Sequence, residues 1–236
     1  MKSIYFYFLF LFFGANLLAQ EERDESEWLK NNEPDSLYRE DQFYIGISFN
    51  FLSDLPEDVN QSGFSGGLNF GFIRDIPLNE QRNIAIGVGL GLNLNTYGQN
   101  LKISEVDGNY QYQPLTDESE YTINRFNMNI VEVPIEFRWR TSTLEKNAFW
   151  RVYLGMNLGY TFRFKSTFEA PDESIELTKP DELERFRTSL KLTFGYGVIN
   201  FFVDYSLNPV FDANILNSNQ SLGINPIKAG LTFYIL

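Results

Sequence analysis

Eight separate stretches of this chain alternate apolar and non-apolar residues with period two, and the apolar phase of each is free of charge. Such alternation dictates strands, because successive strand side chains point to opposite faces. The apolar phases run from Phe43 to Phe51, Gly66 to Phe72, Ile84 to Leu94, Val131 to Trp139, Val152 to Phe164, Thr188 to Tyr196, Ile199 to Leu207 and Ile227 to Ile235. Since 21% of the whole chain is charged, choice of register alone cannot empty eight faces of charge. The interleaved phase is polar and rich in glycine, as in Ala85, Gly87, Gly89, Gly91 and Asn93.

Alternation does not say which face points outward. A soluble lipocalin-type barrel turns its apolar face in, and a membrane barrel turns it out. Glycines in the polar phase relieve crowding inside a narrow barrel and would be wasted on a solvated exterior. The charges of that phase nearly cancel, with Arg138, Arg163, Lys191 and Lys228 against Glu132, Glu136 and Asp204. The connections alternate in length: 52–63, 98–121, 169–185 and 208–223 are long, while 74–83, 141–148 and 197–198 are shorter. Long loops at one end and short turns at the other belong to membrane barrels. The expected fold is therefore all-β: an eight-stranded antiparallel up-and-down transmembrane β-barrel over 42–236 with a closed polar lumen. Eight strands leave room only for side chains, so the seven lumen charges are expected to fill the interior as one paired network.

Lys2 precedes an unbroken apolar stretch from Ile4 to Ala15, and the polar composition begins after Leu17, Leu18 and Ala19. This describes a secretory signal peptide over 1–19, cleaved near Ala19 or Gln20, and the run is too short for a transmembrane helix. Residues 20–41 are too polar to bury themselves and read as a periplasmic tail. With no other candidate helix, any membrane crossing must be made by strands.

Two local features refine this picture. Lys228, Gly230, Phe233 and Ile235 follow the polar-x-Gly-x-x-aromatic-x-apolar spacing of a last strand read by the barrel-insertion machinery. In the fourth strand Phe126, Met128 and Ile130 are apolar in the even phase before the odd phase takes over at Val131. One extra residue reverses the faces of a strand, so a bulge is expected near Ile130–Val131, unless the strand has already left the bilayer. Pro134 removes one ladder donor and is expected beside a disturbed pairing.

Composition closes most of the enzyme catalogue. The chain has neither cysteine nor histidine, which removes thiolate chemistry, the commonest metal ligand and the usual general base. A net charge of −12 argues against a nucleic-acid partner. Gly87-Val88-Gly89-Leu90-Gly91 lacks the spacing and the following helix of a phosphate loop, and reads as lumen packing. Glu132 and Glu136 share one strand face, but in so narrow a barrel they read as members of the charge network rather than a glycosidase pair. The acidic loop with Glu169, Asp172, Glu173, Glu176, Asp181, Glu182 and Glu184 lacks calcium-loop spacing and reads as a solvated surface. No catalytic, cofactor-binding or metal-binding residue is expected.

The stretches Glu132-Val133-Pro134-Ile135-Glu136-Phe137-Arg138, Gly195-Tyr196-Gly197-Val198-Ile199-Asn200 and Tyr205-Ser206-Leu207-Asn208-Pro209 resemble the porin-like, PorT-type outer-membrane barrels of Bacteroidota. The resemblance covers about 42–236. It implies an outer-membrane barrel, suggests a role as an accessory of type IX secretion with secretion-complex proteins as partners, and brings no catalytic residues. The leading expectation is a structural or protein-interaction role in outer-membrane lipid. A small channel and a secreted soluble lipocalin-like binding barrel are the rivals.

Overall fold

The computed structural model describes residues 41–116, 121–141, 150–218 and 220–235. The expected signal peptide, nearly all of the expected polar tail and Leu236 lie outside the described residues. Eleven strands are present: β1 Gln42–Ser53, β2 Gly66–Pro77, β3 Ile84–Gly98, β4 Leu101–Val106, β5 Asn109–Pro114, β6 Ile123–Arg140, β7 Trp150–Ala170, β8 Glu173–Leu177, β9 Phe186–Tyr196, β10 Ile199–Ser206 and β11 Asn225–Ile235. Eight of them, in the order β6-β3-β2-β1-β11-β10-β9-β7, pair antiparallel, and the β6–β7 pairing closes the circle. Closure leaves these eight strands without a free edge, so the barrel's backbone groups are satisfied without water.

The uncharged apolar phase faces outward on all eight strands, Phe164 at the end of β7 excepted. Phe43, Ile45, Ile47 and Phe49 on β1, Leu90 on β3 and Leu154 on β7 are exposed, while Tyr44, Asn93 and Tyr153 from the interleaved phase are buried. Four long connections gather at one end of the barrel, here the loop end, and three short ones at the other, the turn end. Gly197, with φ of 60°, supplies the left-handed backbone that the tight β9–β10 turn requires.

Inward glycines let the wall draw tight. A Cβ on Gly91 would collide with the Tyr44 hydroxyl, which reaches it along the inner wall over Gly71 of β2. At Gly230, on the strand that closes the barrel against β1, a Cβ would strike the Ile47 carbonyl oxygen and lie 2.7 Å from the Ser48 Cα. The Gly230 of the terminal-strand pattern is thus required by the β1–β11 seam, whatever else reads it.

The bulge sits on the neighbouring strand instead of β6. β6 keeps its even residues inside from Asn124 to Arg140, with Phe126, Met128 and Ile130 buried in the same phase as Glu132 and Glu136. The register with β7 shifts between Asn129↔Arg163 and Ile130↔Thr161, which leaves Phe162 as the extra residue on β7. Beyond it the faces of β7 exchange: Phe164 is buried and Arg163 exposed. The apolar even phase of β6 marks a change in what fills the barrel, not a change in which side faces in. Pro134 does disturb a ladder: pairing with β3 runs from Val88↔Ile135 to Gly91↔Glu132 and lapses between them.

Candidate functional site

The interior has two storeys. The one nearer the turn end is polar and centres on Arg138, whose side chain is fully buried. Arg138 pairs with Asp75 and lies 3.4 Å from Glu136 Oε2, and it donates to Gln42 Oε1 at 2.6 Å. Its guanidinium stacks 4.1 Å from the Tyr153 ring centroid and 5.5 Å from that of Tyr234. Asp75 is shared, because its second oxygen accepts from Arg140. Lys191 extends the network to Glu136 Oε1 at 3.7 Å and lies near the Tyr44 and Phe202 rings. A separate group forms where Lys228 meets Asp204 at 3.1 Å. Asp204 also accepts from Asn157 Nδ2 at 2.7 Å and Ser189 Oγ at 2.9 Å. Glu132 is buried at this level, in the field of Lys228 and Lys191.

Six of the seven residues expected in the lumen network, Glu132, Glu136, Arg138, Lys191, Asp204 and Lys228, lie in the interior. Arg163 does not. The extra residue at Phe162 turns it to the outer wall, which corrects the expectation drawn from unbroken alternation. Four further buried charges, Asp75, Arg140, Arg151 and Arg187, belong to the interior and were missed. Asp75 lies three residues past the end of its expected apolar phase, and the three arginines lie one residue outside theirs. The signal was available: Asp75 continues the inward phase of Asn69 and Gly71 through Ile73, but Arg74-Asp75 read as the start of a turn.

The storey at the loop end is apolar. Phe126, Phe164 and Phe211 meet with ring centroids 5.7–5.9 Å apart, and Tyr97 stacks on Phe126 at 5.0 Å. All four long loops feed this core: Val59 from the first, Leu101, Ile103 and Tyr112 from the second, Leu183 from the third and Val210, Leu222 and Ile224 from the fourth. Hydrogen bonds hold the loops to one another. Asn100 reaches the carbonyls of Asp58 and Leu115 through Nδ2, both at 2.8 Å, and its Oδ1 accepts from Asn60 N at 2.7 Å. Leu216 N donates to Tyr112 O at 2.9 Å, and Asp212 N donates to Glu182 O at 2.8 Å.

This cap contains the hairpin β4–β5, within a stretch that the sequence pattern assigns to a long loop. Its two-residue turn is Asp107-Gly108, with φ of 51° and 80°, and Asp-Gly between alternating residues is a strong hairpin sequence. Part of the acidic loop is also structured. Glu173 and Glu176 lie on β8 beside β7, where they pair with Lys102 at 2.5 Å and Lys165 at 2.6 Å.

Tyr112 gives the cap a pH dependence. Burial, reinforced by Glu182, whose Oε2 accepts from the hydroxyl at 3.2 Å, holds the phenol well above its ordinary value. A cap that opens releases this proton at about pH 10, while the closed cap retains it, so closure is fully supported below about pH 10 and weakens above it. Proteinase K cleavage of the β4–β5 hairpin should therefore accelerate as the pH rises above about 10. In Tyr112→Phe the acceleration should flatten, and an identical rise in both proteins would contradict the assignment.

Between the storeys lies a cavity of about 30 Å³, bordered by Tyr97, Ile130, Glu132, Arg187, Asp204 and Lys228. It has room for one or two waters and no larger molecule. No group of three or more acidic side chains converges as a metal site among the described residues.

No curated protein matches this chain. The family model described as "Outer membrane protein beta-barrel domain" matches residues 18–212, most of the chain and every barrel strand except β11. A closed eight-stranded wall with its apolar face outward agrees with that match, and the chain belongs to the outer membrane protein β-barrel domain family as an outer-membrane barrel protein.

Proposed function

We propose that this protein is a closed, non-catalytic outer-membrane barrel that acts through the structured cap at its loop end, as a structural or interaction component. The observation that carries this reading is the cap itself, where side chains from all four loops form one apolar core across the barrel mouth. A channel requires a wet path, and an apolar seal above a side-chain-filled lumen opposes one. By the usual arrangement of bacterial outer-membrane barrels, the long loops face outward and the short turns and both termini face the periplasm.

Planar-bilayer recording of the folded protein should give no discrete conductance steps. Reproducible steps would replace this reading with that of a small channel. The more specific role, an accessory of type IX secretion, has the support of the sequence resemblance alone. It predicts that extraction from the native outer membrane in mild detergent yields an assembly much heavier than one 27.4 kDa chain. A lone barrel in its micelle would remove that role.

A further inference from the structure

The outer wall carries a basic and amide-rich strip that the lumen does not explain. Asn129 faces Arg163 across the β6–β7 pair, and Asn127 faces Lys165 in the next outward row. On the far side of β6, Thr96 pairs with Asn127, and its hydroxyl donates to Asn127 Oδ1 at 2.7 Å. That bond leaves the amide NH₂ of Asn127 as the group available to a ligand. These side chains form one side of a groove of about 720 Å³, whose other side is apolar and includes Ile47, Leu68 and Leu94.

The height of the strip identifies its surroundings. Ten residues of β6 separate Trp139, at the turn-end margin of the apolar wall, from Asn129. At about 3.3 Å per residue and a tilt near 40°, this is a rise of about 25 Å, the height of the apolar band on such a barrel. The strip therefore lies at the loop-end boundary of the membrane. An arginine costs little at that depth and far more at midplane. The chain is acidic overall, so a local pair of cations on a lipid-facing wall is not a reflection of general basicity. Lys165 is steadied by Glu176, while Arg163 is exposed and has no ion-pair partner among the described residues.

We propose that this groove holds a phosphorylated glycolipid of the outer leaflet. Arg163 and Lys165 take the phosphate, the Asn127 and Asn129 amides take sugar hydroxyls, and the acyl chains lie along the apolar side. A guanidinium matches phosphate oxygens in a two-pronged geometry, and the ammonium adds a point charge. The proposal rests on the reading that this wall faces lipid with the loop end outward.

Native mass spectrometry of the full-length protein in detergent tests it, with bisphosphorylated lipid A and the same lipid after dephosphorylation as probes. Wild-type protein should retain the phosphorylated form at least tenfold better, and R163Q/K165Q should lose the preference. Equal retention of the two lipids by the wild type would overturn the proposal, as would a preference that survives in R163Q/K165Q. Displacement of the lipid by millimolar inorganic phosphate would also overturn it, since that would mark a simple anion site. The wild-type comparison needs no variant, so a double variant that fails to fold does not decide the matter. Failure of the membrane reading would look different: the protein would not float with phosphatidylcholine vesicles that contain no lipid A.

Discussion

Asp75→Ala should destabilise the barrel by about 3–5 kcal/mol, because it removes the carboxylate that two buried guanidiniums share. Arg138 and Arg140 are inside the wall with side-chain exposures of 0% and 1%, so neither can turn to bulk water when Asp75 is lost. Arg138 would keep Glu136, but that carboxylate also faces Lys191 and cannot replace Asp75 for both arginines. Guanidinium-chloride unfolding of protein folded into vesicles measures the loss, provided the slope against denaturant is unchanged. Asp75→Leu combined with Arg138→Met and Arg140→Met should recover part of it, since both guanidiniums go with the carboxylate they share and Glu136 keeps Lys191. A loss below about 1 kcal/mol in Asp75→Ala would mean that the polar storey is wet and the charges are screened.

Leu154→Arg and Leu90→Arg test the opposite face of the same wall. Both leucines are outward and exposed, at 57% and 60%, on strands whose outward phases are otherwise apolar across the band. Each substitution should cost about 2–4 kcal/mol when the residue lies near midplane, and less toward either boundary. Folding yield into vesicles, followed by the shift in gel mobility between folded and heated protein, reports the effect. If both variants insert as well as the wild type, the outward face is not in lipid. The two experiments together separate a membrane barrel from a soluble one, because a soluble barrel would tolerate exterior arginines.

The faces of the barrel were legible in the sequence because burial on a strand follows strict alternation, and eight uncharged phases leave little choice. Strand ends were harder. Asp75, Arg140, Arg151 and Arg187 lie where a charged residue signals a turn in a solvated sheet, whereas inside a barrel the same residue continues the inward phase and finds a partner. Arg163 shows the complementary failure. Alternation cannot reveal a single extra residue on a partner strand, and Phe162 reverses every side chain of β7 beyond it. The even-phase run Phe126, Met128 and Ile130 did mark this level of the barrel, but it signalled an apolar filling that only the folded loops make visible. The hairpin Leu101–Pro114 had a readable turn, and was missed because its two strands are short and its apolar residues few.

Surface loops ordinarily diverge freely, since a change in one is not felt by the rest. The cap denies these loops that freedom. Val59, Tyr112, Leu183 and Leu222 come from four different loops yet share one core, and Asn100 holds the first loop to the second. A substitution in any of them has to be accommodated by the other three, as in the interior of a globular domain. The loop end of this barrel is thus the part least able to vary one loop at a time, and its surface should change across relatives as a single coordinated unit.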